Sequence, residues 1–420
     1  WMENDDAVII NSKYDLYKFY TGRGNSFVNI TGGEVLARVV SFRVRKLDPE
    51  AVYFKKNETL VLTAVYDKTK ENVLYTCNTD AIGVDTLIYD KKRFRIVEKA
   101  RSANRIFFTR EDYNEFPDIW VTDSTFKKMH RLTDVNPQMK EFLWGTPELV
   151  NWTDDLGEKL QGYIIKPENF DPAKRYPVVV YFYERYSDML YYFSQPYTGH
   201  RLCWQQYAGD GYIMFMPDVK YKVGAPGESA LRCITSGLRH LVGLGYADSA
   251  AIGVWGHSWS GYQTAYMINR TNMFKAAVAG ATVGNMTSAY SGLRHESGRA
   301  RQFQYEHGQS RIGGTLWDSL ANYIDNSPIF GANKARTPLL IMAGDEDQMV
   351  PWQQSIEIYL AMRRLEKNCI FLQYHGEPHW PEKYPNRLDY AKKIKEFFDT
   401  YLKDKPAPEW ILDGVEYKGK

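Results

Sequence analysis

The chain has 420 residues, and at roughly 150 residues per domain this length predicts two or three domains. Its 53 Lys and Arg residues nearly balance its 51 Asp and Glu residues, for a formal net charge of +2, and the charges are mixed along the chain. This balance argues against nucleic acid or an anionic membrane as the main partner. With 44% apolar and 15% aromatic residues, the composition indicates an ordered globular protein.

Several other kinds of site and segment are not expected. The four cysteines lie far apart, without CxxC or Cys/His spacing, so neither a disulfide scaffold nor a zinc site is predicted (Cys77, Cys203, Cys233 and Cys369). Every apolar stretch is much shorter than the ~20 residues that span a bilayer. The first residues contain no basic segment followed by an apolar one, so we expect no signal peptide in this chain.

Residues 1–137 have the pattern of an all-β region. Short segments rich in Val, Ile, Tyr and Thr alternate with polar turns, for example at Ala7 to Ile10 and Leu60 to Tyr66. A short pattern also recurs roughly 100 residues later, which corresponds to two units of about 50 residues, the size of a four-stranded propeller blade. We therefore expect part of a β-propeller, with a different small β domain as the alternative. The two copies are Asp15-Leu16-Tyr17 with Ile30-Thr31, and Asp118-Ile119-Trp120 with Leu132-Thr133.

Residues 138–420 have a different pattern. A turn at Asp154 to Gly157 predicts a β-hairpin, and beyond it apolar strands without alternation are separated by helical segments. Such strands are typical of a mostly parallel sheet covered on both faces, so the fold class is predicted to be α/β. The expected strands are Val178 to Tyr183, Ile213 to Met216, Ile252 to Trp255, Ala276 to Ala279, Pro338 to Ala343 and Cys369 to Tyr374.

One of these strands leads into a motif that carries chemistry. Ile252 to Trp255 is followed by Gly-His-Ser-Trp-Ser-Gly-Tyr at residues 256–262, and a helix is predicted from about Gly261 to Arg270. This strand, turn and helix predict a nucleophile elbow, a tight turn that holds the hydroxyl of Ser258 above the sheet. The amide of Trp259 would face a tetrahedral oxyanion. Ser260 stands where the G-x-S-x-G pattern has its second glycine.

Two later strand ends supply candidate acids and bases. The strand ending at Ala343 opens into Asp345, Glu346 and Asp347, and the strand ending at Tyr374 opens into His375 and His379. The order Ser, Asp, His is the order of the catalytic residues in α/β-hydrolases. Order alone leaves both aspartates and both histidines open. His257 is not expected to act as the base, because a side chain adjacent to the nucleophile at an elbow points away from it.

With these motifs the chain resembles the C-terminal part of the prolyl oligopeptidase family of serine peptidases, and within it the dipeptidyl peptidase branch. The resemblance is strong over residues 138–402 and weaker over the β region. It implies an α/β-hydrolase domain preceded by a β-propeller, and the acyl-transfer mechanism that it implies needs no cofactor or metal. It also implies a nucleophile, an acid, a base, two oxyanion donors and three weaker substrate-pocket residues: Ser258, Asp347, His379, Trp259, Tyr183, Tyr290, Arg294 and Tyr305. Arg299 and Arg301 lie in the same pocket segment.

The function predicted from the sequence is hydrolysis of short peptides through an acyl-enzyme. Two alternatives stay open: a carboxylesterase with the same three residues, and a non-catalytic binding module that keeps the fold. The expected partner is a peptide substrate, and a homodimer is left open. By resemblance alone, the expected compartment is the periplasm or the extracellular space.

Overall fold

The computed structural model describes residues 1–22, 24, 26–33 and 40–415. The chain forms two compact units. The first comprises Trp1–Phe142 and Asp188–Ser194, and the second comprises Leu143–Ser187 and the chain from Gln195 onward. None of the four cysteines is in a disulfide. No helix in the described part of the chain is long and apolar enough to cross a bilayer.

The first unit is built from three antiparallel sheets in which each strand pairs with the next along the chain. One sheet has three strands and two have four, which agrees with the blade-sized units predicted from the sequence. The three-stranded sheet is β1 (Ala7–Asn11), β2 (Leu16–Tyr20) and β3 (Phe27–Asn29). The second sheet is β4 (Val40–Arg45), β5 (Thr59–Tyr66), β6 (Asn72–Asn78) and β7 (Asp85–Asp90). The third is β8 (Arg93–Lys99), β9 (Ile106–Asp112), β10 (Glu115–Thr122) and β11 (His130–Arg131).

The recurring sequence pattern makes the same hydrogen bonds in the first and third sheets. Thr31 Oγ1 donates to Asp15 Oδ1 at 2.7 Å and accepts the amide N–H of the residue after that aspartate at 3.2 Å. Thr133 Oγ1 donates to Asp118 Oδ1 at 2.6 Å and accepts the next amide at 2.9 Å. The pattern therefore aligns β2 with β10 and β3 with β11. By this alignment β1 matches β9, and the described part of the first sheet has no counterpart of β8.

Two apolar clusters hold the three sheets together. One joins the first two sheets and includes Leu16, Phe42 and Leu62. The other joins the second and third sheets and includes Leu74 and Phe108. The second sheet thus buries both faces, one in each cluster, since the adjacent residues Val73 and Leu74 of β6 belong to different clusters.

The first unit also includes Asp188–Ser194, a segment that the sequence assigns to residues 138–420. Lys70 Nζ lies 3.0 Å from Asp188 Oδ1, and the Lys70 side chain is almost fully buried. The ring of Phe193 packs edge-on against Phe116, with 5.2 Å between the ring centroids. An ion pair and an aromatic contact therefore fix this short segment among the β strands.

The second unit contains an eight-stranded sheet with the order β12-β13-β15-β14-β16-β17-β20-β21. The pairs β12–β13 and β13–β15 are antiparallel and the remaining pairs are parallel. Its strands are β12 (Thr146–Thr153), β13 (Lys159–Lys166), β14 (Tyr176–Tyr181), β15 (Ile213–Pro217), β16 (Ala247–His257), β17 (Ala276–Gly280), β20 (Leu339–Gly344) and β21 (Cys369–Tyr374). A separate two-stranded ladder is formed by β18 (Leu293–Arg294) and β19 (Arg299–Ala300).

Helices cover this sheet. They are α1 (Trp204–Gly209), α2 (Pro226–Gly243), α3 (Trp259–Met267), α4 (Met286–Tyr290), α5 (Gln302–Glu306), α6 (Leu320–Asp325), α7 (Gln353–Arg364), α8 (Tyr384–Leu402) and α9 (Glu409–Leu412). On the central strand β14, Val178, Val179 and Val180 are all fully buried, so both faces of the strand lie in the core. This is the doubly covered α/β sheet predicted from the unbroken apolar runs.

Candidate active site

Ser258 lies at a strained turn between β16 and α3. Its backbone has φ 60° and ψ −118°, a left-handed conformation that costs a serine about 1–3 kcal/mol. The turn is so tight that only glycine fits at two positions. A Cβ on Gly256 would collide with the Ser260 carbonyl, and a Cβ on Gly261 would lie 2.5 Å from the Gly280 carbonyl oxygen. The helix begins at Trp259, two residues before the predicted start, because only Ser258 is needed to reverse the chain.

Ser260 fills the position where the family pattern has a glycine. Its hydroxyl donates to the His257 carbonyl at 2.9 Å and accepts the His257 N–H at 2.9 Å, and the side chain is fully buried. The departure from the pattern therefore adds two hydrogen bonds across the turn. The glycine needed for close packing of α3 on β17 is Gly261.

The nucleophile candidate is accessible at the start of α3. Ser258 is half-buried, and its N–H donates to the Gly280 carbonyl at 2.8 Å, which fixes the turn against β17. Trp259 is the first residue of α3, and the first N–H groups of a helix have no acceptor within it. The Trp259 amide and the helix dipole thus favour negative charge beside Ser258.

Asp347 and His379 form a buried pair. Asp347 follows β20 and His379 follows β21, and 2.7 Å separates Asp347 Oδ2 from His379 Nδ1. The other carboxylate oxygen of Asp347 accepts the N–H groups of Met349 and Val350, both at 2.8 Å. The side chains are 1% and 7% exposed. The carboxylate therefore places the imidazole proton on Nδ1 and leaves Nε2 free to act as a base.

The sheet order brings these strand ends to one edge. The strands β16, β17, β20 and β21 are neighbours and run parallel, so Ser258, Asp347 and His379 all follow carboxyl ends at the same edge. The ring of His257, next to the nucleophile candidate, lies 4.9 Å from the ring of His379 in an edge-on arrangement. The structure therefore brings Asp347 and His379 into contact and places Ser258 at the same edge of the sheet.

The second aspartate and histidine form a separate, more exposed pair. Asp345 bonds His375 Nδ1 and accepts the Gly376 N–H at 2.7 Å, and the His375 side chain is 59% exposed. Partial burial raises the pKa of Asp345, but the hydrogen bonds from Gly376, His375 and Gln373 outweigh it and hold that pKa below its usual value. These bonds close the loop after β21. The intervening Glu346 is exposed.

His257 is buried next to His379 of the Asp347–His379 pair. Burial, with His379 and His200 nearby, holds its pKa well below the usual value, so the ring is neutral. A Cβ on Gly280 would lie 2.5 Å from His257 Nδ1, so that glycine makes room for the ring. The ring of His200 lies 5.2 Å from His257 and stacks on Trp380 at 5.0 Å. The sequence analysis missed His200, because no motif connects residue 200 to the strand ends.

Tyr183 lies just beyond the end of β14. Its ring packs against a cluster that includes Trp259, and its hydroxyl accepts a hydrogen bond from Gln309 Nε2 at 3.0 Å. The side chain is half-buried. Gln309 was also missed by the sequence analysis, since it lies 126 residues away in a segment without a motif.

The three weaker pocket candidates lie in the segment after α4. Tyr290 and Tyr305 are each 1% exposed, and their rings lie 6.3 Å apart in the same aromatic cluster as Trp259. The Tyr290 hydroxyl donates to Glu306, and Arg294 is partly exposed on β18. The two tyrosines thus pack within the cluster, and Arg294 offers an accessible charge.

Arg301 is buried, unlike Arg294 and Arg299. It is 1% exposed, its guanidinium donates to the Met349 carbonyl, and it also donates to the Tyr305 hydroxyl at 3.2 Å. Because the Met349 amide binds Asp347, Arg301 supports the loop that carries the acid candidate. Among the described residues, no three His, Cys, Asp or Glu side chains are placed to hold a metal ion.

Comparison with known proteins bears on this site. Residues 224–405, which include the elbow and both later strand ends, match the model of the prolyl oligopeptidase family. The match covers 182 of the 420 residues. Among curated proteins, the chain is 24% identical over 294 residues to the uncharacterised peptidase YuxL of Bacillus subtilis, covering 65% of this chain and 42% of YuxL. It is 23% identical over 273 residues to dipeptidyl-peptidase 5 of Schizosaccharomyces pombe, covering 60% of this chain and 37% of that protein.

Two solved structures show the same fold. Dipeptidyl peptidase 4 of Porphyromonas gingivalis superposes with a TM-score of 0.70 at 19% identity, covering 95% of this chain and 55% of that chain. The acylaminoacyl peptidase of Pyrococcus horikoshii superposes with a TM-score of 0.69 at 18% identity, covering 98% of this chain and 64% of that chain. The chain therefore spans about half the length of the proteins it matches.

Proposed function

We propose that this chain is the catalytic part of a serine peptidase that cleaves peptide bonds through an acyl-enzyme. The observation that carries the proposal is the buried Asp347–His379 pair at the same sheet edge as Ser258, whose backbone has the strained conformation of a nucleophile elbow. The match of residues 224–405 to the model of the prolyl oligopeptidase family supports a peptidase, as do relatives named dipeptidyl-peptidase 5.

The first half of the reaction forms the acyl-enzyme. Nε2 of His379 takes the proton of Ser258 as its Oγ attacks the carbonyl carbon of the substrate, and Asp347 stabilises the resulting imidazolium. The Trp259 N–H and the Tyr183 hydroxyl donate to the oxyanion of the tetrahedral intermediate. The protonated His379 then gives its proton to the leaving amine, and the C–N bond breaks.

Deacylation repeats these steps with water. His379 takes a proton from the attacking water, the same two donors hold the second oxyanion, and Ser258 recovers its proton as the carboxylic acid leaves. A peptide is the substrate class we propose.

The test is labelling and turnover in the 420-residue chain and its Ser258→Ala variant. We expect a fluorophosphonate probe to label the wild type and not the variant, and we expect the variant to lose hydrolysis of dipeptidyl and N-blocked amide substrates. Ser297→Ala, a change at an exposed serine, is the matched control. Absence of labelling in the wild type would contradict the proposal, and turnover of short-chain esters without any amide turnover would favour the carboxylesterase.

A further inference from the structure

We propose that Gln309 is a positioning residue that directs the hydroxyl proton of Tyr183 toward the oxyanion, an inference that rests on the proposed function. The amide nitrogen of Gln309 lies 3.0 Å from the Tyr183 oxygen and is the donor in that hydrogen bond. A tyrosine hydroxyl has a single proton to donate. Because the oxygen already accepts from Gln309, the proton has to point to another acceptor.

The segment that carries Gln309 is attached to the residue after Tyr183. The Arg311 guanidinium donates to the Gln309 carbonyl at 2.7 Å and forms an ion pair with Glu184. Arg311 itself has a left-handed backbone, with φ 52°. Arg311 thus connects the backbone of Gln309 to the residue after Tyr183, and this connection fixes the direction of the hydrogen bond between Gln309 and Tyr183.

A second chain of contacts connects Tyr183 to the elbow helix. The Tyr183 carbonyl accepts from the Tyr221 hydroxyl at 3.3 Å, and that hydroxyl oxygen accepts from Gln263 Nε2 at 2.7 Å. Gln263 is fully buried in α3, the helix that begins next to Ser258. The Arg311 guanidinium also lies over the Tyr221 ring, 4.4 Å from its centroid. The backbone of Tyr183 is therefore fixed relative to the nucleophile candidate, and Gln309 fixes the remaining rotation of the hydroxyl.

This arrangement acts on the transition state more than on substrate binding. The oxyanion carries its full charge only after the carbonyl is attacked, so an oriented donor lowers the barrier and changes binding little. A hydrogen bond received from Gln309 also polarises the Tyr183 hydroxyl and strengthens its donation. Loss of a whole oxyanion donor costs about 10²–10³-fold in kcat. Loss of its orientation is expected to cost about 10-fold, since the donor remains present.

The test compares Gln309→Leu, Gln309→Glu and Tyr183→Phe with the double variant Tyr183→Phe/Gln309→Leu. The readouts are the rate at which a fluorophosphonate probe labels Ser258, and kcat and KM for an amide substrate. Gln309→Leu should lower the labelling rate and kcat by about 10-fold with little change in KM. Gln309→Glu should lower them further, because its carboxylate accepts the Tyr183 proton. Gln302→Leu, a change at a partly exposed glutamine of α5, is the control.

The double variant separates positioning from a structural role. If Gln309 acts through the Tyr183 hydroxyl, adding Gln309→Leu to Tyr183→Phe lowers the rate no further. A loss of equal size in both backgrounds would overturn the inference, and so would a wild-type rate in Gln309→Leu or Gln309→Glu. Labelling of the wild-type chain with unaffected Gln309 variants rejects the inference alone. No Ser258-dependent labelling of the wild type rejects the proposed function, and the inference with it.

Discussion

The hydroxyl of Ser260 closes a two-way hydrogen bond with the backbone of His257, accepting from its N–H and donating to its carbonyl. All of these groups are buried, so removal of the hydroxyl leaves a donor and an acceptor unpaired. Ser260→Ala should lower the free energy of unfolding by about 1–3 kcal/mol, measured by urea unfolding.

Ser355 provides the control for this change. It is 1% exposed, and its hydroxyl has no hydrogen-bond partner in the described part of the chain. Ser355→Ala removes the same atom without breaking a bond and should leave the free energy of unfolding nearly unchanged. Equal effects of the two changes would show that the bonds across the turn contribute nothing.

The two aspartate–histidine pairs should differ in their effect on activity. In Asp347→Asn, the remaining oxygen can still accept the Met349 and Val350 amides, but the amide group now donates to His379. The imidazole proton then moves to Nε2, which can no longer take the proton of Ser258. We expect kcat to fall about 10⁴-fold.

Asp345→Asn is the matched change at the exposed pair. It weakens bonds to His375 and Gly376 within one loop and should leave kcat near the wild-type value. Both variants can be compared in one assay of amide hydrolysis. A large loss of kcat in Asp345→Asn, with Asp347→Asn near wild type, would reverse the assignment of the acid.

The stability of the chain should depend on His200 at acidic pH. Burial, followed by the charges of Arg201, His379 and Arg387, lowers the pKa of His200 to about 3, whereas a histidine in an unfolded chain has a pKa of about 6.5. Between these values the unfolded chain binds one more proton at this site, so the free energy of unfolding falls as the pH falls. The slope from this site is about 1.4 kcal/mol per pH unit.

Replacement of His200 by phenylalanine removes this dependence and keeps an aromatic ring against Trp380. In His200→Phe, the slope of unfolding free energy against pH between pH 4 and 6 should decrease by about 1.4 kcal/mol per pH unit. His307→Phe, at a histidine whose side chain is 66% exposed, should keep the wild-type slope. An unchanged slope in His200→Phe would mean that His200 is protonated in the folded chain.

The repeated Asp–Thr bonds of the first unit should differ in strength. Thr31 is 3% exposed and Thr133 is partly exposed, although both hydroxyls make the same two bonds. Thr31→Val leaves the buried Leu16 N–H without the hydroxyl that it donates to and should cost about 1–3 kcal/mol. Thr133→Val should cost less, because Ile119 is 39% exposed and water can reach its N–H, while the buried Asp118 Oδ1 still accepts from the Val135 N–H. Urea unfolding, followed by a spectroscopic probe of the first unit, measures the loss of unfolding free energy in both variants. A larger loss in Thr133→Val than in Thr31→Val would contradict this prediction.

Local pattern was enough to predict the strands of the eight-stranded sheet. The strand Cys369–Tyr374 has the predicted bounds, and β15 extends one residue beyond its predicted end at Met216. The order of motifs placed Ser258 and the candidate acids and bases at three strand ends, and the family resemblance then favoured Asp347 over Asp345 and His379 over His375. These features depend on residues close together in sequence, which is what periodicity and turn residues report.

Contacts between distant segments could not be predicted in this way. Gln309 reaches Tyr183 across 126 residues, and nothing in the residues around either one marks the pairing. The role of Ser260 was hidden for a different reason: the family pattern describes a glycine there, and the hydrogen bonds depend on a hydroxyl that the pattern lacks. His200 was hidden because its neutral state follows from burial and nearby charge, which only the folded chain defines.

The placement of Asp188–Ser194 determines how the protein can be divided for experiments. A recombinant fragment starting at Leu143 would retain Tyr192 and Phe193 but lose the residues that they pack against. The Arg93 guanidinium lies 3.7 Å from the Tyr192 ring centroid, and Phe116 packs against Phe193. In the fragment the rings of Tyr192 and Phe193 would be exposed on a loop, a feature that promotes aggregation. Substitution of this segment by a short polar linker would remove that liability from a fragment that starts at Leu143.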